Sequence, residues 1–113
     1  MGWLAHAIFS KSGGYPPVMV KTIASNSELE GRHWSRLPEM SLEWKTFIRG
    51  SADFLGINYY TSRIVTMNNN SYTTKNPSWE KDLNIREHID PAWPQAKSPW
   101  LYSVPHGLGE LLR

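Results

Sequence analysis

The chain is constrained most by one run, Asp53-Phe54-Leu55-Gly56-Ile57-Asn58-Tyr59-Tyr60-Thr61-Ser62, which has the strongest strand character in the sequence. It is built from apolar, aromatic and β-branched residues and follows a turn-like Gly50-Ser51. Side chains alternate across a strand, so Phe54, Gly56, Asn58 and Tyr60 share one face, and Leu55, Ile57 and Tyr59 share the other. The second face is apolar or aromatic throughout, whereas the first turns polar toward its C-terminal end. A strand buried on both sides tolerates that only if its polar end meets hydrogen-bonding partners. In a barrel of parallel strands such an end lies at the C-terminal rim, where sites are built. Asn58 and Tyr60 are therefore candidate site residues.

The flanking pattern agrees with an α/β chain. Ser41 suits an N-cap, and Trp44, Phe47 and Ile48 follow at helical spacing, so Ser41 to Arg49 reads as a short helix feeding the strand. Helix, tight turn and buried strand make one αβ step. Upstream, Trp3, Leu4, Ala7 and Ile8 define a helix from Gly2 to Ser10, ended by Gly13-Gly14. Tyr15-Pro16-Pro17 forms an extended turn, because the residue before a proline is pushed out of the helical region. A second amphipathic helix runs from Val18 to roughly Leu29, with Gly31 as its stop.

Downstream, Ile64-Val65-Thr66 continues in extended form. Asn68-Asn69-Asn70 signals a turn, and Ser71-Tyr72-Thr73-Thr74 is the expected second half of a hairpin. From Lys75 to Pro99 the chain is polar and broken by Pro77, Pro91, Pro94 and Pro99. This long connection carries Trp79 and Trp93 and reads as functional or lid-like rather than idle. Pro105 opens a final helix, with Leu108, Leu111 and Leu112 as its expected buried stripe.

Composition narrows the function classes. A chain of 113 residues suffices for one small domain. Six Trp, five Tyr and three Phe are the kind of excess seen where sugars, bases or partner side chains are stacked, although large cores use Trp too. A formal charge of +2, with the basic residues scattered, argues against nucleic acid. The absence of Cys excludes disulfides and thiol chemistry. No apolar run approaches the ~18 residues of a membrane span. The first residues are too short and lack the basic flank of a signal peptide. Both ends interrupt a helical pattern, so the expectation is a piece of a longer protein.

Most chemical motifs fail. His6, His33, His88 and His106 have no metal-ligand spacing, which leaves surface or capping roles and no metal. Gly107-x-Gly109 lacks the strand that a nucleotide fingerprint needs. No Gly-x-Ser-x-Gly elbow occurs. Asn69-Asn70-Ser71 is a glycosylation sequon, which leans toward secretion and otherwise leaves the compartment open. None of the ten Asp and Glu stands at the end of a second strand facing Tyr60, so the polar strand end is half of a site at best. Tyr60 is either a core tyrosine or a donor aimed at a carboxylate or ligand. Trp100 is either a core anchor or a stacking platform at a pocket mouth.

Several blocks occur in a set order: Gly2-Trp3-Leu4-Ala5-His6-Ala7-Ile8-Phe9-Ser10, Gly14-Tyr15-Pro16-Pro17-x-Met19, and Ser35-Arg36-Leu37-Pro38-Glu39. Gly50-x-x-Asp53-Phe54-x-Gly56-x-Asn58-Tyr59-Tyr60-Thr61 and Trp100-x-x-x-x-Pro105-x-Gly107-Leu108 follow. Together they resemble the interior of a glycoside hydrolase family 1 β-glucosidase, of the type that includes lactase-like, myrosinase-like and insect digestive enzymes. Ala7 stands where many relatives have proline, and Trp34 precedes the Ser-Arg-Leu-Pro run; neither change touches the pocket.

The resemblance implies an α/β fold class, a partial (β/α)8 TIM barrel around the sixth strand (Asp53 to Tyr60) with its long following loop. It implies that Tyr60 hydrogen-bonds the nucleophilic glutamate beside the sugar, that Asn58 lines the same pocket, and that Trp100 walls the aglycone subsite. The implied chemistry is retaining hydrolysis of a small β-glycoside by two glutamates about 5 Å apart, with no cofactor. Their Thr-x-Asn-Glu-Pro and Thr-Glu-Asn-Gly patterns do not occur in this sequence. The expected places are before Met1 and after Arg113, so the chain contributes no catalytic residue of its own. A catalytically inactive homologue acting as a binding protein and a free-standing aromatic carbohydrate-binding module are the alternatives.

Overall fold

A computed structural model of the chain describes residues 2–68, 72 and 75–112. They fall into two compact units, one formed by Met1–Leu55 with Tyr72–Asp82, the other by Gly56–Ser71 with Leu83–Arg113.

The first unit is helical. Helix α1 covers Gly2–Phe9, α2 covers Pro17–Leu29, α3 covers Leu42–Ile48, and α4 (Trp79–Leu83) belongs largely to this unit. After α1 the chain reverses through Gly13 and Gly14, at φ +63° and +72°. A side chain at Gly13 would strike the Lys45 carbonyl, so the loop lies against α3 only because that residue is glycine. His6 Nδ1 and the Gly14 carbonyl, 2.9 Å apart, close this turn, a capping role for that histidine. In α2, Pro17 takes the first helical position after an extended Pro16, where a missing N–H costs nothing. Gly31 at φ +74° ends it, donating to the Glu28 carbonyl at 2.9 Å. The Ser41 hydroxyl caps α3 by accepting from the Trp44 N–H at 3.2 Å. Just beyond α3, the Gly50 N–H donates to the Ile8 carbonyl at 2.7 Å and ties that end to α1. Ile23 and Ser27, on one face of α2, form the buried centre.

The second unit is built on a ribbon. Strand β1 (Ile64–Met67) pairs antiparallel with β2 (Ile85–His88), with Ile64 opposite His88 and Met67 opposite Ile85. A tighter hairpin follows, in which Gln95 bridges Tyr102 and the Ser103 N–H donates to the Pro94 carbonyl at 2.8 Å. Helix α5 (Pro105–Leu112) closes the unit, and Val104 at its start is its buried apolar residue among those described.

Three expectations need correction. The run Asp53 to Ser62 is not helix, but it forms no strand pairing: the only sheet among the described residues is the two-stranded β1–β2 ribbon. Strand assignment requires a neighbour to accept the ladder, and a parallel partner is not present among these residues. Accordingly Phe54 is 81% exposed and Leu55 49%. Strand β1 pairs with β2; the expected hairpin return at Ser71, Thr73 and Thr74 lies outside the described residues, as does the sequon Asn69-Asn70-Ser71. The connection from Lys75 to Pro99 is not irregular throughout, since it contains α4, β2 and half of the small hairpin. Leu111 and Leu112 of α5 are exposed rather than buried, as are Trp44 and Phe47 on α3, because nothing among the described residues packs on those faces.

Candidate functional site

Trp100 stands at the turn of the small hairpin. The turn is closed by the Leu101 N–H donating to the Ser98 carbonyl at 3.1 Å and by the Gln95 side-chain amide donating to the Pro99 carbonyl at 2.8 Å. Pro99 limits the backbone just before the indole. The ring of Tyr60 meets Trp100 edge-on, with centroids 6.3 Å apart and planes at 80°. That is a favoured aromatic arrangement. Both rings are more than half exposed, Tyr60 at 67% and Trp100 at 53%. Of the three candidate residues, the structure thus brings Tyr60 and Trp100 together. Asn58 is exposed, and its amide has no hydrogen-bond partner among the described residues.

The residues that hold this corner lie on the opposite parity of the same run. Tyr59 donates its hydroxyl to the Val104 carbonyl at 2.5 Å and sits 2.7 Å from the Ser62 hydroxyl. Thr61 Oγ1 accepts from the Tyr102 N–H at 3.3 Å. Arg63 donates to its neighbour's carbonyl, Ser62, at 3.1 Å and to the Trp100 carbonyl at 3.1 Å, with its guanidinium 6.0 Å from the centre of the Tyr102 ring. Gly107 lies so close to Ser62 and Tyr59 that any side chain there would overlap both hydroxyls. Sequence reasoning did not single out Tyr59, Thr61 or Arg63 as residues of the site. Its available signal was the odd-numbered face, which also turns polar once the alternation is carried past Tyr59 to Thr61 and Arg63.

Other aromatic candidates separate. Trp93 packs edge-on against His106 at 6.4 Å, and Trp79 opens α4. Among the described residues no three His, Cys, Asp or Glu side chains gather as a metal set. The densest polar cluster lies in the helical unit, around Glu30, Arg36, Tyr72 and Asp82, and its groups bond one another.

The family model of Glycosyl hydrolase family 1 matches residues 1–113. The chain belongs to that family. Among its relatives, the lactase-like protein of Mus musculus is 42% identical over 99% of this chain and 19% of its own length. Lactase/phlorizin hydrolase of Rattus norvegicus is 38% identical over 100% of this chain and 6% of its own length. This family 1 chain therefore spans less than a quarter of the curated relatives it matches here. Among solved structures, an aphid myrosinase is 35% identical and superimposes with a TM-score of 0.79, covering 98% of this chain and 23% of that one. The chain thus shares its local fold with a TIM-barrel member of the family, while its own sheet has two strands.

Proposed function

We propose that this chain is part of a retaining β-glycosidase acting on O-β-glucosides, and that it lines the substrate pocket with Asn58, Tyr60 and Trp100 while supplying neither catalytic glutamate. In this reading Asp53 to Tyr60 is the sixth strand of a (β/α)8 barrel and pairs once polypeptide beyond this chain provides its neighbours. The reading is carried by the edge-on contact of Tyr60 with Trp100, which puts a phenol and a half-exposed indole side by side at the end of that run. Family membership and relatives with names such as lactase/phlorizin hydrolase support it.

The chemistry divides accordingly. Two carboxyl groups about 5 Å apart perform a double displacement, one attacking the sugar and the other protonating the leaving group, then activating water. The Tyr60 hydroxyl donates to the nucleophile and holds it ionised and oriented. The Asn58 amide offers a donor and an acceptor to sugar hydroxyls. The Trp100 face stacks on a flat, apolar aglycone.

The test is hydrolysis of an aryl β-glucoside, and of an S-β-glucoside beside it, by the full-length protein. Turnover is expected, and Tyr60→Phe lowers kcat by about 10- to 100-fold, the worth of a hydrogen bond to a charged group. A full-length protein that binds the glucoside without cleaving it would replace the enzyme reading with that of an inactive homologue. Neither binding nor cleavage would remove the glycoside from the proposal altogether.

A further inference from the structure

Side chains at positions 59, 61 and 63 bond backbone groups at positions 104, 102 and 100, in that order. One segment steps forward by two residues as the other steps back by two. That is the register of an antiparallel strand pair, except that on one side the side chains take the place of the backbone. We infer that Tyr59, Thr61 and Arg63 form a side-chain rail that sets the height and direction of Trp100 beside Tyr60, with Arg63 as the residue positioning the indole. This rests on the reading of Trp100 as a leaving-group contact.

The rail matters because the hairpin's own bonds fix the Trp100 turn internally but do not tie it to the segment that carries Tyr60. The Trp100 ring is half exposed and has one aromatic neighbour among the described residues, so its direction follows from where its backbone is held. Arg63 holds that backbone at the Trp100 carbonyl and is itself fixed by the Ser62 carbonyl and the Tyr102 ring. A planar guanidinium spans such a set of partners with little loss of side-chain freedom per bond. At the far end, Gly107 admits the Tyr59 hydroxyl close to α5, which anchors the rail where the helix begins.

A positioning role separates from a general structural one by its dependence on the aglycone. In the full-length protein, Arg63→Ala is expected to raise KM for an aryl β-glucoside about tenfold with kcat within about twofold, the pattern of lost binding rather than lost chemistry. For methyl β-glucoside, which has no ring to stack, KM changes by less than about twofold. Arg63→Lys, keeping a cationic donor, recovers most of the aryl KM, and Thr61→Val gives a smaller rise of the same kind. In a Trp100→Ala background, Arg63→Ala adds less than about twofold, because the two residues act as one unit. Melting temperatures are recorded for each variant; if Arg63→Ala does not fold, Arg63→Lys and Thr61→Val make the same comparison.

An equal rise in KM for both glucosides, effects that multiply with those of Trp100→Ala, or an unchanged aryl KM would each overturn the rail while leaving the glycosidase reading intact. A wild-type protein that cleaves neither glucoside would take down that reading, and the rail's role with it.

Discussion

At the scale of single residues, the helical unit is governed by Glu30. Its carboxylate accepts from the Tyr72 hydroxyl at 2.6 Å, from Arg32 Nε at 2.6 Å and from Arg36 Nε at 2.9 Å. Arg36 reaches on to Asp82 at 2.7 Å, and Asp82 also accepts from Asn26 at 2.9 Å. Burial pushes the Glu30 carboxyl up, but donation from Tyr72, Arg32 and Arg36 with the Arg36 charge outweighs it and lowers the pKa from 4.5 to about 2. Hydrogen bonding to Asp82 keeps the Arg36 guanidinium charged beyond its ordinary range. Burial, then donation to Glu30, raises the Tyr72 phenol. Because the folded-state pKa of Glu30 lies below its unfolded value, its stabilisation is complete above about pH 4.5 and is lost as pH falls through 2. Glu30→Gln is therefore expected to lower the melting temperature at pH 7, with the gap to wild type narrowing between about pH 4.5 and 2. A gap that stays constant across that interval would show that the ionised form contributes nothing. The Ser-Arg-Leu-Pro run was legible in the sequence. That its arginine grips two carboxylates, one of them 46 residues downstream, was not, because such a contact depends on how the chain returns.

At the scale of elements, the contrast between α5's two glycines is informative. Glycine in a helix interior costs roughly 0.5–1 kcal/mol relative to alanine, so Gly→Ala in a helix ordinarily stabilises. Gly109 has nothing near its vacant Cβ position among the described residues, whereas Gly107 faces the Ser62 and Tyr59 hydroxyls. Those hydroxyls cannot retreat freely, since Tyr59 is bonded to the Val104 carbonyl. Gly107→Ala is expected to destabilise the full-length protein by about 1–3 kcal/mol, the usual range for overpacking. Gly109→Ala leaves its stability unchanged or raises it. Urea unfolding of both variants checks this, and equal behaviour of the two would refute the contact. Helices α1, α2, α3 and α5 were legible to within a residue or two because their caps and periodicity are local: Ser41, Pro17 and Gly31 act where they stand, whereas the single-turn α4 inside the Lys75 to Pro99 connection was not. The partner of β1 was not, since pairing Ile64–Met67 with Ile85–His88 needs a return of about twenty residues that no nearby turn signal announces.

At the scale of the whole molecule, the proposed reading makes this chain a site wall without the reacting groups. Apart from Pro16, Ile23 and Val104 are the only buried apolar side chains among those described, while Trp34, Phe47 and Phe54 are largely exposed. A polypeptide with so little apolar burial has little to offset the conformational entropy of folding. The 113-residue chain purified alone is expected to melt over a broad range and to leave an aryl β-glucoside uncleaved. Measurable turnover by it would contradict the assignment of both glutamates to polypeptide outside it.

By itself the sequence determined what depends on neighbours along the chain: where helices start and stop, which residues share a face of the Asp53 to Ser62 run, and which family the ordered blocks belong to. Only the tertiary structure decided which of those faces finds partners. The odd-numbered side chains of that run bond the Trp100 segment from some forty residues away, and their pairing follows from the path of the hairpin rather than from any local pattern. Periodicity assigns a side chain to a face; the opposing backbone determines what that face can hold.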